Sequence, residues 1–206
     1  MAVNSDVELC NLALGHMGDF GTIESIDTPE SAAELIFAKW YDVSRQTYLK
    51  KVMPNFAMSR ENVAENATNN QSEYFNSSYP FPSNALKILG IGEVKNKMND
   101  YTVEENTIYT SQTYDNGLPV RFIKDITDIS KWSPEAKIGF SWYLAAQTCM
   151  EVTQDKQILQ LMEQKSRDEM ANVSGLNAQE NRPIRISRSL NRDARAVGFP
   201  KHPDKK

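Results

Sequence analysis

Cysteine and histidine are scarce in this sequence, with only two of each among 206 residues. Two cysteines cannot form the disulfide framework that stabilises many small secreted proteins. Both Cys10 and Cys149 fall on apolar helical faces, which is typical of buried small hydrophobic residues. With His16 and His202 as the only imidazoles, no Ser/His/Asp or Cys/His catalytic arrangement is predicted. His16 ends a predicted helix, so we expect a partly exposed polar residue there and not a metal ligand.

Long apolar runs and glycine-rich loops are also missing. The chain has no run of eighteen apolar residues, and it begins with neither a basic nor an apolar segment. We therefore expect a protein that neither spans a membrane nor is exported by a signal segment. Gly90-Ile91-Gly92 lacks the third glycine and the following helix of a phosphate-binding loop. The paired carboxylates Glu104 and Glu105 fall at a predicted turn, which is typical of a solvated tip. The sequence predicts no enzymatic activity, no cofactor and no metal.

The first predicted helix covers residues 6–17. It begins with a capping box, in which Ser5 and Glu8 satisfy free amides of the first turn. Its apolar residues cover more than half of the circumference, which is too much apolar surface for a helix in water. This helix therefore needs a partner surface.

The second predicted helix covers residues 29–53, with Thr28 as its cap and Pro29 at its first position. Two lysines in its last turn suit the helix dipole, and Pro54 prevents its continuation. The apolar row expected to face the core consists of Ala33, Ile36, Trp40 and Val43.

The middle of the chain has a strand-like pattern. A polar, asparagine-rich stretch over residues 59–78 is predicted to be a surface loop. Residues 86–123 then contain several short alternating segments, with Glu105-Asn106 as a turn between two of them. These segments predict a small antiparallel sheet or a set of hairpins.

Two more helices are predicted after the sheet. One covers residues 155–172 and is expected to end at Gly175. The other covers residues 134–152 and is expected to be the most buried helix, through the apolar row Ile138, Trp142, Ala145, Cys149 and Val152. The predicted fold class is mainly α: a helical bundle with a small antiparallel sheet, in one domain over residues 1–176.

Residues 177–206 are predicted to form an extended basic arm. From residue 181 onward the chain has eight basic and two acidic residues, a net charge of +6. Residues 1–180 therefore have fifteen basic and twenty-five acidic residues, a net charge of −10, which together give the whole-chain value of −4. An acidic body with a basic arm is typical of contacts between molecules. The residues predicted to bind a partner protein or a neighbouring subunit are Arg182, Ile184, Arg185, Ile186, Arg188, Leu190 and Arg192.

Several motifs within residues 5–175 resemble those of one protein family. The chain resembles the head-to-tail adaptors of tailed bacteriophages, of the tail tubular protein A type found in short-tailed phages. The motifs are Cys-Asn-Leu-Ala-Leu-Gly from Cys10, Ser-Ala-Ala-Glu from Ser31, Trp-Tyr-Asp-x-x-Arg from Trp40, Asn-Phe-Ala from Asn55 and Trp-Ser-Pro-Glu from Trp132.

This resemblance implies a virion structural protein that forms a dodecameric ring beneath the portal protein at the capsid vertex. The opposite face of the ring would bind the tail nozzle, a protein of the tail tubular protein B type, and tail fibres are a further candidate partner. The bore of the ring would let the double-stranded DNA genome pass. The expected location is the neck of the virion, after assembly in the bacterial host cytoplasm.

Two alternatives stay open from the sequence. One is a head-completion or neck protein of a long-tailed phage, which sequence patterns distinguish poorly from an adaptor. The other is a nucleic-acid-binding protein, suggested by the arginines of the arm. The acidic body, the lack of a basic recognition helix and the apolar residues of the arm disfavour this second alternative.

Overall fold

The fold combines helices with two small antiparallel sheets, which confirms the predicted fold class. The computed structural model describes residues 3–18, 21–66, 74–92 and 101–180. In these residues the helices are α1 (Asp6–His16), α2 (Ala32–Val52), α3 (Pro134–Thr153) and α4 (Lys156–Glu180). The strands are β1 (Met58–Val63), β2 (Ser77–Pro80), β3 (Ala85–Ile91), β4 (Tyr101–Glu104), β5 (Thr107–Thr110) and β6 (Leu118–Lys124).

Helix α1 begins as predicted, whereas helix α2 begins later than predicted. The capping box of Ser5 and Glu8 is present at the start of α1. In α2 the cap is Ser31, paired with Glu34 in a second capping box, so the prediction of a start at Thr28 and Pro29 was wrong. Residues 22–31 stay irregular because the Glu34 carboxylate binds backbone amides along this segment.

The core-facing side of α2 also differs from the prediction. The buried residues of this helix include Phe37, Tyr41, Tyr48 and Leu49. The predicted row is rotated away from them, and its member Val43 is 59% exposed. The prediction failed because the buried face also carries the polar residues Glu34, Ser44 and Arg45, and both charged residues among them have partners.

Helix α3 lies at the centre of the bundle and contacts α1, α2 and α4. It has more buried residues than any other described helix, which confirms the expectation for this element. Its predicted row was partly wrong, because Ile138 is 46% exposed and Trp142 is half-buried. At Gly139 an added Cβ would lie 2.5 Å from the Tyr48 hydroxyl, so the glycine makes room for this side chain of α2.

Helix α4 is longer than predicted. It runs through Gly175 to Glu180, so both the predicted end and the predicted start of the arm at residue 177 were wrong. The buried residues Met162, Ser166 and Val173 keep helical spacing and hold the helix against the bundle. A glycine within a helix costs about 1 kcal/mol relative to alanine, which such packing can offset.

The β region begins earlier than predicted and forms two sheets. All of strand β1 except its first residue, and the start of β2, lie in residues 59–78, which we predicted to be a loop. One sheet has the order β1-β6-β3 and the other has the order β2-β5-β4, with antiparallel pairs throughout. The predicted turn between β4 and β5 is confirmed, since Glu105 and Asn106 both have positive φ, as in a two-residue hairpin turn.

The sheet β1-β6-β3 lies between the bundle and the other sheet. From strand β6, Ile123 packs into the helical core, whereas Leu118, Val120 and Phe122 pack into a second apolar core. That second core also contains Tyr79 and Ile108 from the outer sheet. Because side chains alternate along β6, this strand contacts both cores. It joins the helical lobe, built around the helical core, to the β lobe, built around the second core.

Candidate interaction surfaces

The seven residues predicted to bind a partner, from Arg182 to Arg192, lie outside the described residues. The structure does show where the chain preceding them is held. The Asn55 amide donates to the backbone oxygen of Asn177, at 3.0 Å, and to the Glu180 carboxylate, at 2.8 Å. Asn55 belongs to the Asn-Phe-Ala motif, so this motif fixes the end of α4 against the junction of α2 and β1.

Asn11, from the first motif, fixes the connection between α1 and α2. Its amide donates to the backbone oxygen of Ile23 at 2.9 Å, and its oxygen accepts from the Ile23 amide at 2.7 Å. The Ile23 side chain is 1% exposed and belongs to the helical core. The Asn11 side chain thus satisfies both backbone polar groups of Ile23, as a neighbouring strand would, in a segment that has no regular secondary structure.

Glu34, from the Ser-Ala-Ala-Glu motif, holds the rest of this connection. Its carboxylate accepts hydrogen bonds from the backbone amides of Glu24, Ser25, Glu30 and Ser31, at 2.8 to 3.4 Å. These bonds favour the charged form and lower the pKa of Glu34 to about 2. The carboxylate therefore stays ionised wherever the protein is folded at ordinary pH.

Arg45, from the Trp-Tyr-Asp-x-x-Arg motif, joins the two lobes. Its side chain is 6% exposed and pairs with Asp42 at 3.1 Å and with Asp125 at 3.2 Å. Asp125 follows β6 directly, and Gln46 also donates to its carboxylate at 3.2 Å. A buried arginine between α2 and the end of β6 specifies how the sheet meets the bundle.

Together these contacts give the motif residues a structural role. Asn11, Glu34, Arg45 and Asn55 each satisfy polar groups at a junction between elements. None of these contacts forms a catalytic arrangement of nucleophile and base. The groups that face outward on the same helices are the better candidates for binding.

The outward face of α2 carries apolar side chains that the bundle does not use. We call Leu35, Ile36, Trp40 and Val43 the outer α2 patch. Leu35 is 58% and Val43 is 59% exposed, whereas Ile36 and Trp40 are half-buried. Large apolar side chains grouped on a helix surface are typical of contact with another molecule.

Trp40 of this patch is held in one orientation by α3. Its indole N–H donates to the Glu151 carboxylate at 2.8 Å, and the Lys39 ammonium donates to the same oxygen at 2.9 Å. The Lys39 ammonium also lies 5.2 Å from the centre of the Trp40 ring. The hydrogen bonds from Lys39 and Trp40 lower the pKa of Glu151. A tryptophan with its polar atom already satisfied loses little freedom on binding, as interface anchors require.

A second surface is a groove between the start of α3 and the end of α4. It has a volume of about 280 Å³ and is lined by Ser133, Glu135, Val173, Leu176, Asn177, Gln179 and Glu180. This groove was not predicted from the sequence, because α4 was expected to end at Gly175. The helical spacing from Val173 to Leu176, three residues apart across that glycine, is the signal that would have revealed it.

His16 is half-buried, as expected, and packs on α3. Its ring stacks on Trp142 with 3.6 Å between ring centres, and its Nε2 lies 3.0 Å from the Ser141 hydroxyl oxygen. That hydroxyl donates to the Ile138 carbonyl, so His16 Nε2 donates to Ser141. Burial lowers the pKa of His16, which favours the neutral ring. Within the described ranges, no group of three or more His, Cys, Asp or Glu residues could hold a metal ion.

Comparison of the chain with models of known protein families finds no match, and comparison with curated protein sequences finds none either. The resemblance to phage adaptors therefore rests on the motifs alone. Among the helices of the described part of the chain, none is both long and apolar enough to cross a membrane.

Proposed function

We propose that this chain is a head-to-tail adaptor of the short-tailed phage type. In this role it forms a dodecameric ring between the portal protein and the tail nozzle, in the neck of the virion, and the genome passes through the bore. The observation that carries the proposal is the position of the motif residues. They occupy the junctions of a two-lobed body and leave an ordered apolar patch facing outward.

The outer α2 patch supports a role in assembly. A subunit in a ring needs lateral contacts with its neighbours, and these contacts bury apolar side chains that a monomer exposes. Leu35 and Val43 are exposed in the single chain, and Trp40 is oriented by Glu151 before any partner binds. This arrangement favours a surface that is prepared for a protein partner.

The charge distribution supports a partner-dependent assembly. Residues 1–180 carry a net charge of −10, so identical bodies placed side by side repel each other. Residues 181–206 carry +6 and can offset this repulsion when they lie between bodies or against the portal. We therefore expect a mainly monomeric protein in isolation that becomes a ring on its portal.

The same charges disfavour the nucleic-acid-binding alternative. A protein that binds the DNA backbone needs a basic surface, because phosphate contacts provide most of the affinity. The body of this chain is acidic, and an acidic lining is better suited to a bore through which DNA slides without being held.

A docking assay tests the proposal. The full chain and a variant truncated after Glu180 would each be mixed with the portal protein of the same virus. Sedimentation would measure how many copies bind per portal. We expect ring-sized occupancy for the full chain and weaker, less salt-dependent binding for the truncated variant. Failure of the full chain to bind its portal at low and moderate salt would contradict the adaptor role.

A further inference from the structure

The groove between α3 and α4 combines an apolar floor with an acidic rim. Val173, at 2% exposure, and Leu176, at 38%, form the floor. Glu135 and Glu180 are both exposed and stand at the rim, and the lining residues that the structure describes include no lysine or arginine. A site of this composition is complementary to a peptide that alternates apolar and basic residues.

The helix ends that border the groove also favour a basic peptide. The groove lies at the C-terminal end of α4, where the helix dipole favours positive charge. The N-terminal end of α3 also borders it, but there Ser133 already accepts from the Ala136 amide and Pro134 has no amide to offer. The carboxylates and the α4 terminus therefore dominate the charge of the groove.

We propose that this groove binds the basic C-terminal segment of a second copy of the chain, through residues 182–190. Ile184 and Ile186 would contact the floor at Leu176, and Arg182 and Arg185 would pair with Glu135 and Glu180. Arginine suits this role because its planar guanidinium pairs with a carboxylate through two hydrogen bonds. The inference rests on the proposed ring function, and it names the contact that links one subunit to the next.

The position of Glu180 favours a second copy over the chain's own segment. Glu180 is itself part of the groove wall and is held there by Asn55. Ile184 follows only four residues later, and Pro183 favours an extended conformation at Arg182, which would lead the chain away from Leu176. Residues 181–206 could span about 85 Å at roughly 3.3 Å per residue, which is enough to reach a neighbouring subunit.

A peptide-binding experiment tests this inference on the full chain. The probe is a fluorescent peptide of residues 181–194, and its anisotropy reports binding. We expect saturable binding that weakens as salt is added and that falls by about tenfold or more in the variant E135K/E180K. A peptide carrying R182E/R185E should bind the native chain poorly and recover binding to E135K/E180K.

The matched control is E104K/E105K, which makes the same change in charge at the exposed turn between β4 and β5, in the other lobe. We expect the affinity of this control for the peptide to stay within about twofold of that of the native chain. Any general effect of its changed net charge should disappear when salt is added. Leu176→Ser tests the floor separately from the charges, and thermal unfolding checks that each variant is folded.

Three results would overturn the inference: no binding of the peptide to the full chain, equal weakening by E135K/E180K and by E104K/E105K, or no effect of the charge exchange. A portal-docking result is independent of these. If the full chain docks on its portal but the peptide does not bind the groove, the proposed adaptor function is supported and the proposed contact between subunits is wrong.

Discussion

The two faces of helix α2 reverse the usual distribution of residues, in which charged side chains face water and apolar side chains face the core. The inward face combines Phe37 and Tyr48 with the charged residues Glu34 and Arg45, all of them buried. The outward face carries the outer α2 patch, in which Leu35 and Val43 are more than half exposed. The buried charged groups of this helix fix the fold at its junctions, and we propose that its exposed apolar groups contact a partner protein.

The largest effect should come from truncating the inward face. Phe37→Ala removes a fully buried ring from the helical core and should lower the free energy of unfolding by about 3–5 kcal/mol. Urea unfolding followed by circular dichroism measures this. The matched control is Val43→Ala on the other face of the helix, where we expect a loss below about 0.5 kcal/mol. Equal losses in the two variants would mean that the two faces are assigned incorrectly.

Removal of Arg45 should have the next largest effect. Arg45→Met leaves the Asp125 carboxylate without its ion pair at a largely buried site, and we expect a loss of about 3 kcal/mol in the free energy of unfolding. The double variant R45M/D125N removes both charges and should lose less than R45M alone. Asp42→Asn is the control, because this carboxylate is 74% exposed and its pair contributes little. If D42N costs as much as R45M, the link between the lobes does not depend on Asp125.

The pH dependence of Glu34 separates this buried charge from surface charges. Its pKa in the folded protein is about 2, below its ordinary value of 4.5. The stabilisation is therefore complete above about pH 5 and is lost as the pH falls toward 2. Glu34→Gln should lower the melting temperature at pH 7, and the gap to the native protein should narrow progressively between pH 5 and pH 2. A gap that stays constant over this range would show that the carboxylate is not held by the four amides. Glu30→Gln, at an exposed side chain, serves as the control.

The smallest effect on stability should come from the outer α2 patch. The variant L35Q/V43Q replaces two exposed apolar residues with a good helix former, so the free energy of unfolding should change by less than about 0.5 kcal/mol. The same variant should bind its portal or form rings less well, as measured by sedimentation. Normal assembly of L35Q/V43Q would mean that this patch does not form a lateral contact.

Much of the fold could be predicted from local sequence signals. The capping box of Ser5 and Glu8, Pro54 after α2, Pro134 at the start of α3 and the Glu105-Asn106 turn all act through a few neighbouring residues. Such signals depend little on tertiary context, so these boundaries and this turn were predicted correctly. The local signal of Thr28 and Pro29 failed, because α2 begins only at Ala32, after the Ser31 cap.

The errors arose where distant partners decide the structure. Residues 22–31 stay irregular because of Asn11 and Glu34, and α4 continues past Gly175 because it packs against the bundle and Asn55. The polar strand β1 was predicted to be a loop because its pairing with β6 lies about sixty residues away in sequence. The rotation of α2 was missed since hydrophobicity alone cannot identify a buried arginine.

We propose that an outward-facing apolar patch and a basic segment make this chain a ring-forming adaptor. The most direct measurement is the mass of the full chain, alone and with the portal protein of its virus, by native mass spectrometry or mass photometry. We predict a mainly monomeric protein in isolation and a closed, dodecameric layer on the portal. A chain that stays monomeric with its portal present would contradict the account.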